Sequence, residues 1–184
     1  MQINDGKGTG YTAEVNSANQ LETRSVSQNR AEWENHNHAK AFAFFFSQAA
    51  GDAAATEYLG YIKNDSDDDM VVDEISVHAT AADSIYVVQV TGTAAGGTAV
   101  VPKNMNLGSG LTASCTTMKH TNITGLTQSG TRLLNFNLAA AGFIVRTPYP
   151  SILMPKNTAI AVVTSTDQAQ TLSVNIMFHY ETKH

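Results

Sequence analysis

Three stretches of the chain carry residue types at spacings that could do chemistry. His36-Asn37-His38 offers two imidazoles two residues apart. In a strand, residues i and i+2 share a face, so both rings could hold one metal ion. Such a pair needs a carboxylate and a further His to complete the shell. Ala39-Lys40-Ala41-Phe42-Ala43 follows instead, with no carboxylate, so no metal is expected. Asp65, Asp67, Asp68 and Asp69 present several oxygen ligands of the kind calcium takes. The run has no Gly at the sharp-turn position and no closing Glu, so it reads as an acidic, solvated turn between two strands. Its charge also discourages edge-to-edge pairing. Gly6-Lys7-Gly8-Thr9-Gly10 has the look of a phosphate loop, but such a loop must follow a strand and open a helix.

No nucleophile stands in a recognisable setting. There is no G-x-S-x-G elbow, and His78, His120 and His179 are scattered among Ser and Asp. The single cysteine, Cys115, can form neither an internal disulfide nor a cysteine zinc cluster and reads as a small buried apolar residue. Asn122-Ile123-Thr124 matches a glycosylation acceptor, a match without meaning in the absence of a secretory signal. Met1-Gln2-Ile3-Asn4-Asp5 is followed by no apolar h-region, and Ala41–Phe46 is too short to span a bilayer. A soluble, cytoplasmically made protein with no catalytic residue, cofactor or metal and no membrane partner is expected.

Composition points the same way. Of the 184 residues only 15% are charged, against roughly a quarter in ordinary domains, and the net charge is −5. Phosphate backbones require clustered Lys and Arg. The eleven basic residues here are dispersed, so no nucleic-acid partner is expected.

The positioning elements are strands. Leu172, Val174, Ile176, Phe178 and Tyr180 alternate with Ser173, Asn175, Met177 and His179, the period of an antiparallel strand with one buried face. Ala41–Phe46 reads as a short buried strand. Further strands are predicted at Tyr58–Lys63, Met70–His78, Ser84–Thr93, Thr98–Val101, Leu111–Thr121, Arg132–Ala139, Gly142–Arg146 and Thr158–Thr164. Many short strands with Gly, Asn, Asp and Pro between them imply an all-β fold, an antiparallel β-sandwich or jelly roll, over residues 41–184. Residues 1–40 differ: polar, led by three glycines, with no sustained period. They predict an extended N-terminal arm, with at most a poor helical turn or two at Ala31–Lys40. Such a segment cannot offset its own ordering entropy, so neighbouring subunits are expected to hold it through Tyr11, Val15, Leu21, Val26 and Trp33.

Three regions resemble a family. Gly10-Tyr11-Thr12-Ala13-Glu14-Val15-Asn16 through Asn19–Ser27, the strand–turn–strand Tyr58–Ile75, and the closing Pro155–Val162 with Val174–Glu181 are similar to virion proteins of tailed phages. The resemblance implies a jelly-roll-like, oligomeric structural protein without catalytic residues. Its favoured form is a capsid decoration (cement) protein, a homotrimer bridging major capsid protein subunits on the virion surface. A tail, baseplate or neck component is the nearest alternative. A receptor- or carbohydrate-binding sandwich is another, with Tyr149 between Pro148 and Pro150 as its loop platform.

Overall fold

The computed structural model describes residues 2–4, 12–14, 30–50, 57–164 and 170–181. Eight strands carry the architecture: β3 (Ala41–Ala50), β4 (Glu57–Asn64), β5 (Asp69–Ala79), β6 (Asp83–Ala95), β10 (Thr124–Leu138), β11 (Gly142–Arg146), β13 (Ala159–Thr164) and β14 (Gln170–Glu181). They divide equally between two antiparallel sheets. One runs β11-β5-β14-β3 and the other β10-β6-β13-β4. Numbered one to eight along the chain, the orders are 6-3-8-1 and 5-4-7-2, which is the double Greek key of a jelly roll. Short strands extend the edges: β7 (Thr98–Ala99) and β9 (Cys115–Lys119) beyond β4, β8 (Lys103–Asn104) beside β3, and β12 (Ile152–Met154) on β5 next to β11. Near the N-terminus β1 (Gln2–Asn4) pairs antiparallel with β2 (Thr12–Glu14).

The sheets close on one apolar core. Leu172, Val174, Ile176, Phe178 and Tyr180 all point into it, as their alternation requires. Phe42, Phe44 and Phe46 meet them from β3; the Phe44 and Phe46 rings lie 5.2 Å apart. Opposite, β4 carries Gly60 beneath Phe46. A β-carbon at Gly60 would lie 2.2 Å from Phe46 Cζ, so only glycine leaves room for the ring.

Two departures from strict alternation matter for function. On β5, Met70 and Val72 face inward, and so do Ile75, Val77 and Ala79. The parity changes between them because Glu74 pairs with Met177 and Val72 with Phe178, leaving Asp73 as an extra residue. This β-bulge turns two consecutive carboxylates, Asp73 and Glu74, onto the outer face.

The second lies in the segment up to residue 40, expected to be extended with at most a poor helical turn or two at Ala31–Lys40. Arg30–His38 forms a helix, α1, which rests on β14 and β3. Intrinsic propensity is poor, but Glu34 pairs with both Arg30 and His38 at i,i+4 spacing, 2.8 Å each way. Glu32 in the first turn and His36 and His38 in the last complement the helix dipole. Ala39 adopts a left-handed conformation (φ 52°) and ends the helix before β3 begins.

Candidate functional site

The outer face of the β11-β5-β14-β3 sheet has two halves, and the register places every residue. Under α1 lies a polar cluster. His179 projects from β14, is 1% exposed, and is held at both ring nitrogens. Asp73 from the bulge meets Nδ1 at 2.9 Å, and Glu181, two residues along the same strand, meets Nε2 at 3.3 Å. The chain of contacts continues from Glu181 to Arg30 Nε (3.4 Å), and from Arg30 to Glu34 and His38 on α1. Glu34 is itself 1% exposed, so the network is the means by which the helix is seated.

Burial opposes a charge on His179, but hydrogen bonds and charge from Asp73 and Glu181 outweigh it and raise its pKa. A carboxylate at each nitrogen favours the protonated ring, and both nitrogens are engaged within the cluster. An open groove of about 480 Å³ runs beside it, between α1 and the sheet. It is lined by apolar Ala31, Met105 and Met177 together with Glu74, Thr147 and Ser151. The His179 ring bonds Asp73 and Glu181, and neither Thr147 nor Ser151.

The other half of the face is open. Register aligns Val145, Ser76, Asn175 and Phe45 in one row across four strands, and Phe143, His78, Ser173 and Ser47 in the next. Ser173 and Ser47 hydroxyls are 3.2 Å apart. The result is a shallow trough of short polar side chains, with exposed Phe45 on one rim and exposed Phe143 and Val145 on the other. Fully exposed Tyr149 stands on the connection between β11 and β12.

The residues singled out from the sequence fare unequally. His36 and His38 lie on a helix, where i and i+2 diverge by about 200° at 3.6 residues per turn. His38 bonds Glu34 and stacks edge-on against Trp33, while His36 is exposed, so the structure does not bring the pair together. The acidic turn is organised by ion pairs. Asp65 binds Lys63 and Thr116, Asp67 binds Lys156, and Asp68 binds Lys40, at 2.7–2.8 Å. Buried Asn64 fastens the turn from within, donating to the Asp68 and Met154 carbonyls. Carboxylates directed outward to separate lysines do not converge on one cation. Cys115 is half-buried, and desolvation pushes its thiol up to about 11, which suits an inert core-edge residue.

Of the five anchors, Trp33 sits on α1 at the surface, with the Arg30 guanidinium 4.9 Å from its ring centre. Tyr11, Val15, Leu21 and Val26 lie outside the described residues, as does the glycine-rich Gly6–Gly10 run. Sequence reasoning missed the Asp73–His179–Glu181 cluster. Its signal was present as two adjacent acids, Asp73-Glu74, interrupting an otherwise alternating strand. Comparison with protein-family models, with curated proteins and with solved structures finds no match to this chain.

Proposed function

We propose that the chain is a virion structural protein, a capsid decoration protein that binds the phage head and bridges neighbouring major capsid subunits. The observation that carries this reading is the open half of the outer sheet face, a polar trough with Phe45 on one rim and Phe143 and Val145 on the other. Exposed large apolar side chains flanking short polar ones on a flat face are what a protein partner covers, the polar ones supplying hydrogen bonds. The low charge content agrees with a surface that works against other protein surfaces. The mechanism is mechanical: each bound copy adds contacts across a subunit boundary, and the shell resists internal pressure through their sum. The one polar cluster with a buried histidine serves to seat α1, which favours a structural role over a catalytic one.

The deciding experiment is a reconstruction of particles made by the genome that encodes this chain. Jelly-roll density on the outside of the head supports the reading. Density confined to the tail, baseplate or neck moves the function there, and absence from purified particles overturns it. Fully exposed Tyr149 favours a second reading, a receptor- or carbohydrate-binding sandwich. That reading expects glycan-array binding to disappear in the Y149A variant.

A further inference from the structure

A sheet edge is a row of unpaired N–H and C=O groups, and proteins blunt such edges by shortness, proline, charge or bulges. Most edges among the described residues are blunted. β7 and β8 are two residues long, and β12 is three residues followed by Pro155. β10 is long, but its register with β6 shifts three times, and Gly125 and Gly130 take positive φ. β11 carries only one of these devices, the charge of Arg146 at its end. Its five residues pair with β5 in unbroken register from Gly142↔Ala79 to Arg146↔Ile75. It holds no proline or lysine, and its outward side chains are Phe143, 63% exposed, and Val145, 42% exposed.

The backbone polarity of β11 can be read. The Ala141 N–H donates to the Thr80 carbonyl at 3.4 Å, so Ala141, Phe143 and Val145 turn their polar groups toward β5. Gly142, Ile144 and Arg146 turn theirs to the opposite edge, which no strand among the described residues pairs. The Gly142 N–H is satisfied by the Ala139 carbonyl at 2.9 Å. What the edge offers is the Gly142 carbonyl, both groups of Ile144 and the Arg146 N–H.

We propose that β11 is a self-association strand, pairing antiparallel with β11 of a second copy about a two-fold axis at Ile144. This register is self-complementary. The two Ile144 residues exchange both N–H···O=C bonds, and each Arg146 N–H meets the other copy's Gly142 carbonyl. Phe143 then opposes Val145 of the second copy in a non-hydrogen-bonded pair, the closer kind, joining an aromatic to a β-branched side chain on the outer face. Arg146 faces a glycine across the pair, which gives its side chain room. The two Arg146 residues lie at opposite ends of the ladder, about 13 Å apart along it at 3.3 Å per residue, so like charges are kept separate. The pairing is isologous and gives a dimer, not the homotrimer that the phage resemblance implies. It rests on the edge alone and stands whether or not the chain decorates a capsid.

The test uses the full chain. Light scattering on a sizing column should give twice the 19.6 kDa chain mass at about 50 μM, and F143K should shift the species to monomer while circular dichroism stays unchanged. Register is read by F143C/V145C, which on mild oxidation should become a covalent dimer. F143C and V145C alone should not, because residues 143 and 145 face each other only across the axis. A monomeric wild-type chain, a dimer that persists in F143K, or an assembly in which the double variant fails to cross-link each overturns the proposal.

Discussion

The substitution Gly60→Ala probes the tightest contact in the core. The new methyl carbon would sit 2.2 Å from Phe46 Cζ and 2.4 Å from Cε1, well inside the 3.5–4.0 Å separation of carbons in contact. The Phe46 ring is fully buried beside Phe44, so it has no solvent to swing into. Overpacking of this kind costs about 1–3 kcal/mol. The Gly60 backbone is outside the left-handed region, so alanine also contributes roughly 0.4–1 kcal/mol by restricting the unfolded chain. A net loss of about 1–2 kcal/mol follows. At roughly 2–4 °C per kcal/mol for a chain of this size, Tm should fall by about 2–8 °C. A double-mutant cycle isolates the cause. Phe46→Ala alone should cost about 3–5 kcal/mol by leaving a cavity, and in that background Gly60→Ala should be neutral or stabilising. Urea unfolding of the four proteins gives the coupling. If Gly60→Ala costs the same with and without the Phe46 ring, the ring does not dictate the glycine and the argument is refuted.

The remaining predictions concern the outer face and the turn. His179 has a raised pKa, so its ion pairs contribute fully below the unfolded value of about 6.5 and are lost as pH rises through the folded value. Thermal stability should therefore decline from pH 6 toward pH 9 in the wild-type chain and not in H179Q; parallel curves would show that the ring carries no linked proton. Arg30→Ala removes the contact between α1 and Glu181, and amide exchange should accelerate in residues 30–38 while β14 stays protected. With the turn aspartates directed to lysines, millimolar calcium or a chelator should leave Tm unchanged; a rise of several degrees with calcium would mean the carboxylates regroup around the ion. A chain lacking residues 2–28 keeps α1 and the sandwich and should fold with wild-type Tm but lose affinity for the capsid proposed above as its partner. Retained affinity would remove Tyr11, Val15, Leu21 and Val26 as anchors.

Legibility in the sequence followed the reach of the interactions involved. β14 was plain because one buried face imposes a period of two on twelve consecutive residues. β11 was found with its bounds, Gly142–Arg146, because a glycine opens it and its apolar run is short and clear. Elsewhere the local signal was weaker than the tertiary one. β10 begins at Thr124, eight residues before the expected Arg132, because Thr124–Thr131 are mostly polar and glycine-containing, and it is pairing with β6 over Thr124–Gln128 that makes the start of this stretch strand. Conversely, the expected Leu111–Thr121 strand shrinks to Cys115–Lys119, the stretch with a partner in β4. Ile152–Met154 is a strand of only three residues, formed because β5 offers it an edge.

The polar cluster under α1 shows why site geometry is harder to read than fold. Asp73 and His179 are 106 residues apart, and no periodicity links them. Their meeting depends on one inserted residue in β5. Without the bulge, strict alternation would put Asp73 into the apolar core opposite Phe178, where an unpaired carboxylate is very costly. The bulge turns it outward, onto the face where β14 presents His179. His179 in turn contacts Glu181, and Glu181 contacts Arg30 on the helix. The helix thus owes its position to an irregularity in a strand two layers of contacts away. A deletion of Asp73 alone should restore the register of β5, strip His179 of one carboxylate and loosen α1, although no residue of the helix is changed.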